Sequence, residues 1–452
     1  MTTHNRHVGG GRISRSLRPV RLAGRAVVRW AGTYAVWVER RRRKREEFVL
    51  RTAEDVTRTM GDMKGAFMKF GQILSLMSGT LPREARAQLA TLQANAPPMA
   101  YELVREVIER EFGLPPEKLF RRFEHEPLAA ASIGQVHRAT LHDGARVAVK
   151  VQYPGVREAI AHDLANAGLL VSMAGVLSRG LDAGAIVRDL KDGILGELDY
   201  VREAHWQQRF HDRFEGHAFI RVPRVYHELT TPHVLTQELI EGRPFASALE
   251  LPQEERTRIA EIIFRYCFGS IYRHDLFNGD PHPGNYLLCD DGRVAFVDYG
   301  CVVEFSKDTI VKFVRILRAV MRHDLEEWRS AVEDAGILRP DAPFTTENLW
   351  DHMRWYWAPI VEEEVTFTPE LAAEMIGHNT QATGLGGRIN QHCNVPEGML
   401  FLTRINFGLA GLLGSLHARG PWQAIVREYI DGAPPATELG RESARTSPGP
   451  AV

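Results

Sequence analysis

The spacing of hydrophobic positions changes along the chain, and the changes divide it. From about Thr52 to Phe120 apolar residues recur three and four apart, as in "EDVTRTMGDMKGAFMKFGQILSLMSG", which predicts helices. "QVHRATL" and "ARVAVKVQY" alternate instead, and predict two antiparallel strands around the turn signal "HDG". Helical spacing returns over 156–212. "RVPRVYHEL" and "HVLTQELIEG" read as short strands. After Pro252 the pattern is helical, except where "YLLC" and "VAFVDYG" flank the turn "DDGR". The last twenty residues are rich in Pro, Gly, Ser and charge, a composition that predicts disorder. The expected fold class is α+β.

Two apolar runs, 165–177 and 407–416, fall short of the roughly 20 residues needed to cross a bilayer, and predict buried core helices. Bulk composition changes the picture little: 44% hydrophobic and 25% charged residues are ordinary for a globular protein. A net charge of -1 gives no sign of nucleic-acid binding. Four scattered cysteines without a C-x-x-C pair argue against a disulfide scaffold or zinc site, and fit a reducing compartment. Charge is uneven, however. Up to residue 45 the chain is arginine-rich, with Trp30, Tyr34 and Trp37 interleaved and Glu39 its one acid. That pattern suits an amphipathic helix on an anionic lipid surface. A solvated arm, or a helix on its own domain, is the alternative.

Candidate chemistry concentrates in "LFNGDPHPGNYLLCDDGRVAFVDYG", 276–300. Asp280-x-x-x-x-Asn285, a hairpin, then Asp298-Tyr299-Gly300 is the order used in protein-kinase-like folds. Phosphoryl transfer needs Mg²⁺ between phosphate oxygens, and Mg²⁺ takes hard oxygen ligands. Asn285 and Asp298 supply such oxygens, and Asp280 can accept a proton from a hydroxyl or orient a water. Upstream, "VAVK" places Ala148 and Lys150 on an alternating strand, with Lys150 as the phosphate clamp. Ala129, Ala131, Gly134 and Val136 fit the glycine-rich phosphate loop with its first two glycines replaced by alanine, which alters the cradle. Glu203 is the expected carboxylate partner of Lys150. The backbone at Glu238 and Ile240, in "TQELIEG", is the expected hinge for adenine. ATP or ADP with Mg²⁺ are the implied ligands.

With "MKFGQILSLMSGTLP", these segments resemble the ABC1/AarF/UbiB family of atypical kinase-like proteins, the group that includes the COQ8/ADCK proteins, over about 52–420. The resemblance rests on Lys69-Phe-Gly-Gln72, "PLAAASIGQVHRA", Glu197-Leu-Asp199, "DPHPGN" and "VDYG". It implies a two-lobed kinase-like fold, with a small β-rich N-lobe, a helical C-lobe and an N-terminal helical extension. It also implies a lid in which Lys69 and Gln72 face Glu197 and Asp199. The expected boundaries are a basic arm to 50, a helical extension over 51–120, an N-lobe over 121–245, a C-lobe over 246–432 and a disordered tail over 433–452. Two positions depart from the family pattern: Asn278-Gly279 stands where a His-Ala-like pair is more usual, and Tyr299 where Phe is. The resemblance implies an atypical kinase or ATPase serving isoprenoid-quinone or lipid metabolism, alongside quinone- or lipid-biosynthesis enzymes. The expected location is cytoplasmic, peripheral on the inner face of the membrane. A non-catalytic, nucleotide-gated binding module is the alternative reading, and a conventional Ser/Thr kinase a further one.

Overall fold

A computed structural model describes residues 99–158 and 198–446 together with Gly196, apart from isolated positions at 132, 380, 382, 395, 397 and 398 and the side chains of 379 and 399–405. The chain divides into two compact units. The described residues belong to one of them (98–154 with 175–452), except Gly155–Glu158, which belong to the other. The basic arm, the segment with Lys69 and Gln72, Glu197 and the apolar run at 165–177 lie outside the described residues.

One sheet carries the strand-rich half. Its order is β1 (Arg122–Ala130), β2 (Gly134–Thr140), β3 (Arg146–Gln152) and β5 (Val234–Glu238), all antiparallel. Side chains alternate faces along a strand, so register decides what each face presents. Val147, Val149 and Val151 of β3, with Ala139 and Val234, point to one face. There they bury against Val104, Val107 and Ile108 of α1 (Tyr101–Phe112), spaced three and four apart on its apolar side. Thus 101–120, expected in the helical extension, packs instead on the sheet: the helix's apolar stripe has its partner there. Gly134 sits where a Cβ would overlap the carbonyl of Val151, so close strand approach is itself a reason for glycine there.

Helix α2 (Tyr200–Phe214) starts at Asp199, whose carboxylate accepts from the amides of Val201 and Arg202. The stretch "RVPRVYHEL" is only partly strand. β4 is Ile220–Arg221, Val225 makes an isolated bridge, and His227–Leu229 is a 3-10 turn. Pro223 lacks the N–H that a continued ladder requires.

The second half is helical around one large core. Its longest described helix, α3 (Gln253–His274), ends where Asp275 turns left-handed at φ 56°. Two short pairings follow it. β7 (Leu276–Asn278) pairs with β10 (Val302–Glu304), while β8 (Tyr286–Leu288) pairs antiparallel with β9 (Val294–Phe296), around Gly292 at φ 81°. β6 (Arg243–Pro244) and β4 flank that hairpin. The apolar run 407–416 lies, but for Leu416, in helix α4 (Met399–Ser415) and is largely buried. Among the described residues, no helix is long and apolar enough to cross a membrane.

The expected disordered tail is corrected over 438–446, which form helix α6 (Glu438–Thr446), following α5 (Trp422–Ile430). Composition hid it because its anchoring is tertiary. Arg265 of α3 bonds Glu428 of α5 through both guanidinium ends (2.7 and 2.9 Å) and Thr437 at 2.9 Å. Leu439 and Ser443 are buried.

Candidate active site

The other face of the first sheet builds one wall of a cleft. Ala129 pairs with Val136, and Val136 with Lys150, so these three side chains stand on one face. Ala148, two residues before Lys150 on β3, joins them. Ala131 closes the β1–β2 turn, its amide donating to the Gly134 carbonyl at 2.9 Å. The predicted loop residues and the predicted lysine therefore share a surface.

Helix α2 brings the carboxylate. Its buried face repeats at Glu203, Ala204, Gln207, Phe210 and Phe214. Glu203, 2% exposed, meets the Lys150 ammonium with both oxygens, at 2.9 and 3.0 Å. The same ammonium donates to Asp298 Oδ2 at 3.2 Å and lies 5.0 Å above the ring of Tyr200. Burial works against charge on Lys150, but the carboxylates of Asp298 and Glu203 outweigh it and hold its pKa well above the ordinary value. Lys150 is therefore charged at neutral pH and spans 148 residues of sequence to reach Asp298.

Asp298 follows β9, and its Oδ1 accepts the Gly300 amide at 3.1 Å. Asn285 ends the 3-10 turn Pro283–Asn285, capped by His282, and its carbonyl accepts the Val297 amide at 3.1 Å. The loop and the hairpin are thus stitched together. Asn285 Nδ2 donates to Asp280 at both its backbone oxygen and Oδ2, each 3.1 Å. That bond fixes the carboxamide so that its Oδ1 is the end left for a cation. The donor set is all oxygen: one amide and one carboxylate, with nucleotide phosphates to complete it. This fits Mg²⁺, which keeps few protein ligands. The described residues hold no cluster of three His, Cys, Asp or Glu, so a protein-only metal cage is not what the site offers.

Glu238 and Ile240 leave β5 at the edge of this cleft. The Glu238 side chain is committed elsewhere, to Arg221 at 2.6 Å and the Arg224 amide at 3.3 Å, so an adenine contact there would be through backbone. The Leu239 amide bonds the Arg146 carbonyl, while that of Ile240 makes no bond among the described residues. Asp199 acts as the cap of α2; its expected lid partners lie outside the described residues.

Two supports escaped sequence reading. Tyr200 lies beneath Lys150, with no motif to announce it. Gly408, in the helix Met399–Ser415, leaves room for the Asp280–Pro281 turn: a Cβ there would sit 2.5 Å from Pro281 Cγ. Only the fold brings residues so far apart in sequence into contact.

The chain is similar to known proteins in sequence and in fold. The family model of the ABC1 atypical kinase-like domain matches residues 91–332. The mitochondrial atypical kinase COQ8 of Saccharomyces cerevisiae is 33% identical over 266 residues, covering 58% of this chain and 53% of that protein. AarF domain-containing protein kinase 1 of Gallus gallus is 30% identical over 384 residues, covering 82% and 72%. Among solved structures, the complex of Rv3197 with erythromycin from Mycobacterium tuberculosis superposes with a TM-score of 0.64 at 30% identity, covering 84% of this chain and 96% of that one. The chain spans about half the length of several of the curated relatives it matches. The fold is kinase-like, and the chain belongs to the ABC1 family of atypical kinase-like proteins.

Proposed function

We propose that this protein binds ATP with Mg²⁺ in the cleft between β3 and the Asp280–Gly300 segment, and transfers or hydrolyses its terminal phosphoryl group. The observation that carries this reading is Lys150 held at once by Glu203 and Asp298. Such a charge-saturated lysine, beside an Asp–Asn pair, is what positioning a polyphosphate requires. When bound, Mg²⁺ would neutralise phosphate charge. Asn285 and Asp298 would hold it, and Lys150 would turn from Asp298 toward phosphate oxygens while Glu203 keeps its other donors oriented. Asp280 would accept the proton of the attacking hydroxyl or water. Ala148 and Val136 would cover the adenine, with the backbone at Glu238 and Ile240 as the hinge.

Ala129 and Ala131 support a second reading, a nucleotide-gated module with negligible turnover, because alanine disfavours the backbone that brings amides close to phosphate. The erythromycin complex of Rv3197 adds support, since a family relative there holds a bulky organic ligand. Service to isoprenoid-quinone or lipid metabolism, at the inner face of a membrane engaged by the basic arm, belongs to the first reading through the family resemblance and the composition of that arm. Asp280→Asn separates the two. Under the first reading it should lower Mg²⁺-dependent phosphate release by about 100-fold or more while nucleotide still binds. Unchanged phosphate release would favour the module. Anionic liposomes added to the full chain, beside a truncation at about residue 46, test the membrane link; equal rates in all four arms would remove it.

A further inference from the structure

Asn278 and Tyr299 both depart from the family pattern, and the Asp298 carbonyl that Asn278 holds begins the peptide bond to Tyr299. Asn278 ends β7 and is 8% exposed. Its Nδ2 donates to the backbone oxygen of Asp298 at 2.7 Å, and its Oδ1 accepts the Asp280 amide at 3.4 Å. Only one orientation of the carboxamide allows both, because the nitrogen alone can donate. One side chain therefore touches the backbone of both acids of the cleft.

Behind it stands a buried chain of phenols. The hydroxyls of Tyr266 and Tyr299 share a hydrogen bond at 3.3 Å. Both tyrosines are fully enclosed, Tyr266 stacked on Phe296 at 3.6 Å and Tyr299 5.0 Å from Phe210. An unpartnered hydroxyl at such depth is costly, so the residue at 299 constrains its neighbours. A tyrosine needs a buried partner where phenylalanine needs none. Tyr266 supplies it.

We propose that Asn278 is a positioning residue that holds Asp280 and Asp298 in register with each other, while the Tyr266–Tyr299 bond holds the residue that follows Asp298. Its action is through backbone, so it touches neither nucleotide nor metal. The tie is neutral and does not titrate, which sets it apart from an imidazole at the same position. The inference rests on the proposed function for its catalytic consequence, while its structural content stands without it.

The test uses the full chain and the variants Asn278→Ala, Tyr299→Phe, their combination, and Asn278→His with Tyr299→Phe. Two readouts are taken: hydrogen exchange of the peptide spanning Leu276–Gly300 without nucleotide, and Mg²⁺-dependent ATP turnover. Asn278→Ala should speed exchange in that peptide about 10-fold while Lys307–Met321 exchanges as before, and should lower kcat about 10- to 100-fold with KM within threefold. Tyr299→Phe alone should cost about threefold, and should add little to Asn278→Ala, since both hold the backbone at Asp298. Asn278→His with Tyr299→Phe should recover most of the turnover, since an imidazole N–H can donate to the same carbonyl. Exchange unchanged by Asn278→Ala, or fully additive losses, would overturn the inference. A natural chain without turnover would count against the proposed function alone, and the exchange result would still decide the role of Asn278.

Discussion

Two buried cations, Arg265 and Lys150, solve the same electrostatic problem in opposite ways. Arg265 is 1% exposed at its side chain and fully engaged: Nε reaches Glu261 at 2.6 Å, both terminal nitrogens reach Glu428, and one of them also reaches Thr437. Lys150 has one carboxylate buried with it, Glu203 at 1%, and a second at the cleft wall, Asp298 at 31%. A planar fork met on all sides locks geometry. A point charge shared between a fixed partner and a half-exposed one can be reassigned when a polyphosphate arrives. The first cluster clips the C-terminal helix to the core, and the second prepares a site.

The largest effect should therefore come from the clip. Glu428→Ala leaves Arg265 short of its bidentate partner and should cost about 3–5 kcal/mol, read by denaturant unfolding. Nucleotide affinity of the remaining folded chain should stay within threefold. A loss of affinity at intact stability would erase the contrast drawn above.

Acid should act on the clip next. His217 bonds the Ser443 hydroxyl at 3.2 Å, and its Nδ1 accepts the amides of Phe219 and Ile220. Burial, then the charges of Arg273, Arg265 and His274, push its pKa down to about 4 from the usual 6.5. A depressed histidine binds its proton later in the folded than in the unfolded chain. Stability is accordingly complete above pH 6.5 and is lost between 6.5 and 4, by about 3 kcal/mol at the lower end. His217→Asn should flatten that part of the curve. His274, also held down to about 4, should leave a residual slope in the same window, since its charge acts on His217.

On the cleft side, Gly408→Ala should press on Pro281 and cost about 1–3 kcal/mol through overpacking. Its signature is a larger fractional loss in turnover than in stability, measured on samples at equal folded fraction. Asp298→Asn should have the smallest effect on stability, within about 1 kcal/mol, since Lys150 keeps Glu203. It should nevertheless remove the response of nucleotide binding to Mg²⁺.

The sheet and hairpin were legible because their signals are local: β2 and β3 alternate around Gly144, and Asp290–Gly292 turn between β8 and β9. The site was legible because a motif preserves spacing on one rigid segment, and the lysine strand precedes its helix partner. The tail and the supports were not. Helix α6 depends on Arg265, some 170 residues away, and Tyr200 and Gly408 matter only through what the fold lays against them. β1 was unreadable as a strand because "RFEHEPLAA" is mostly exposed and carries two register shifts, so little alternation marks it. α1 was assigned to the wrong neighbour because an amphipathic stripe announces burial without naming the surface that covers it.

The central claim is that Lys150, Asn285 and Asp298 form one magnesium–nucleotide site. Calorimetric titration of ATP into the full chain, with and without Mg²⁺, tests it directly beside Asp298→Asn. The account predicts that Mg²⁺ tightens ATP binding about tenfold or more in the natural chain and leaves Asp298→Asn unaffected. Equal affinity with and without the cation in the natural chain, or an undiminished Mg²⁺ response in the variant, would contradict it.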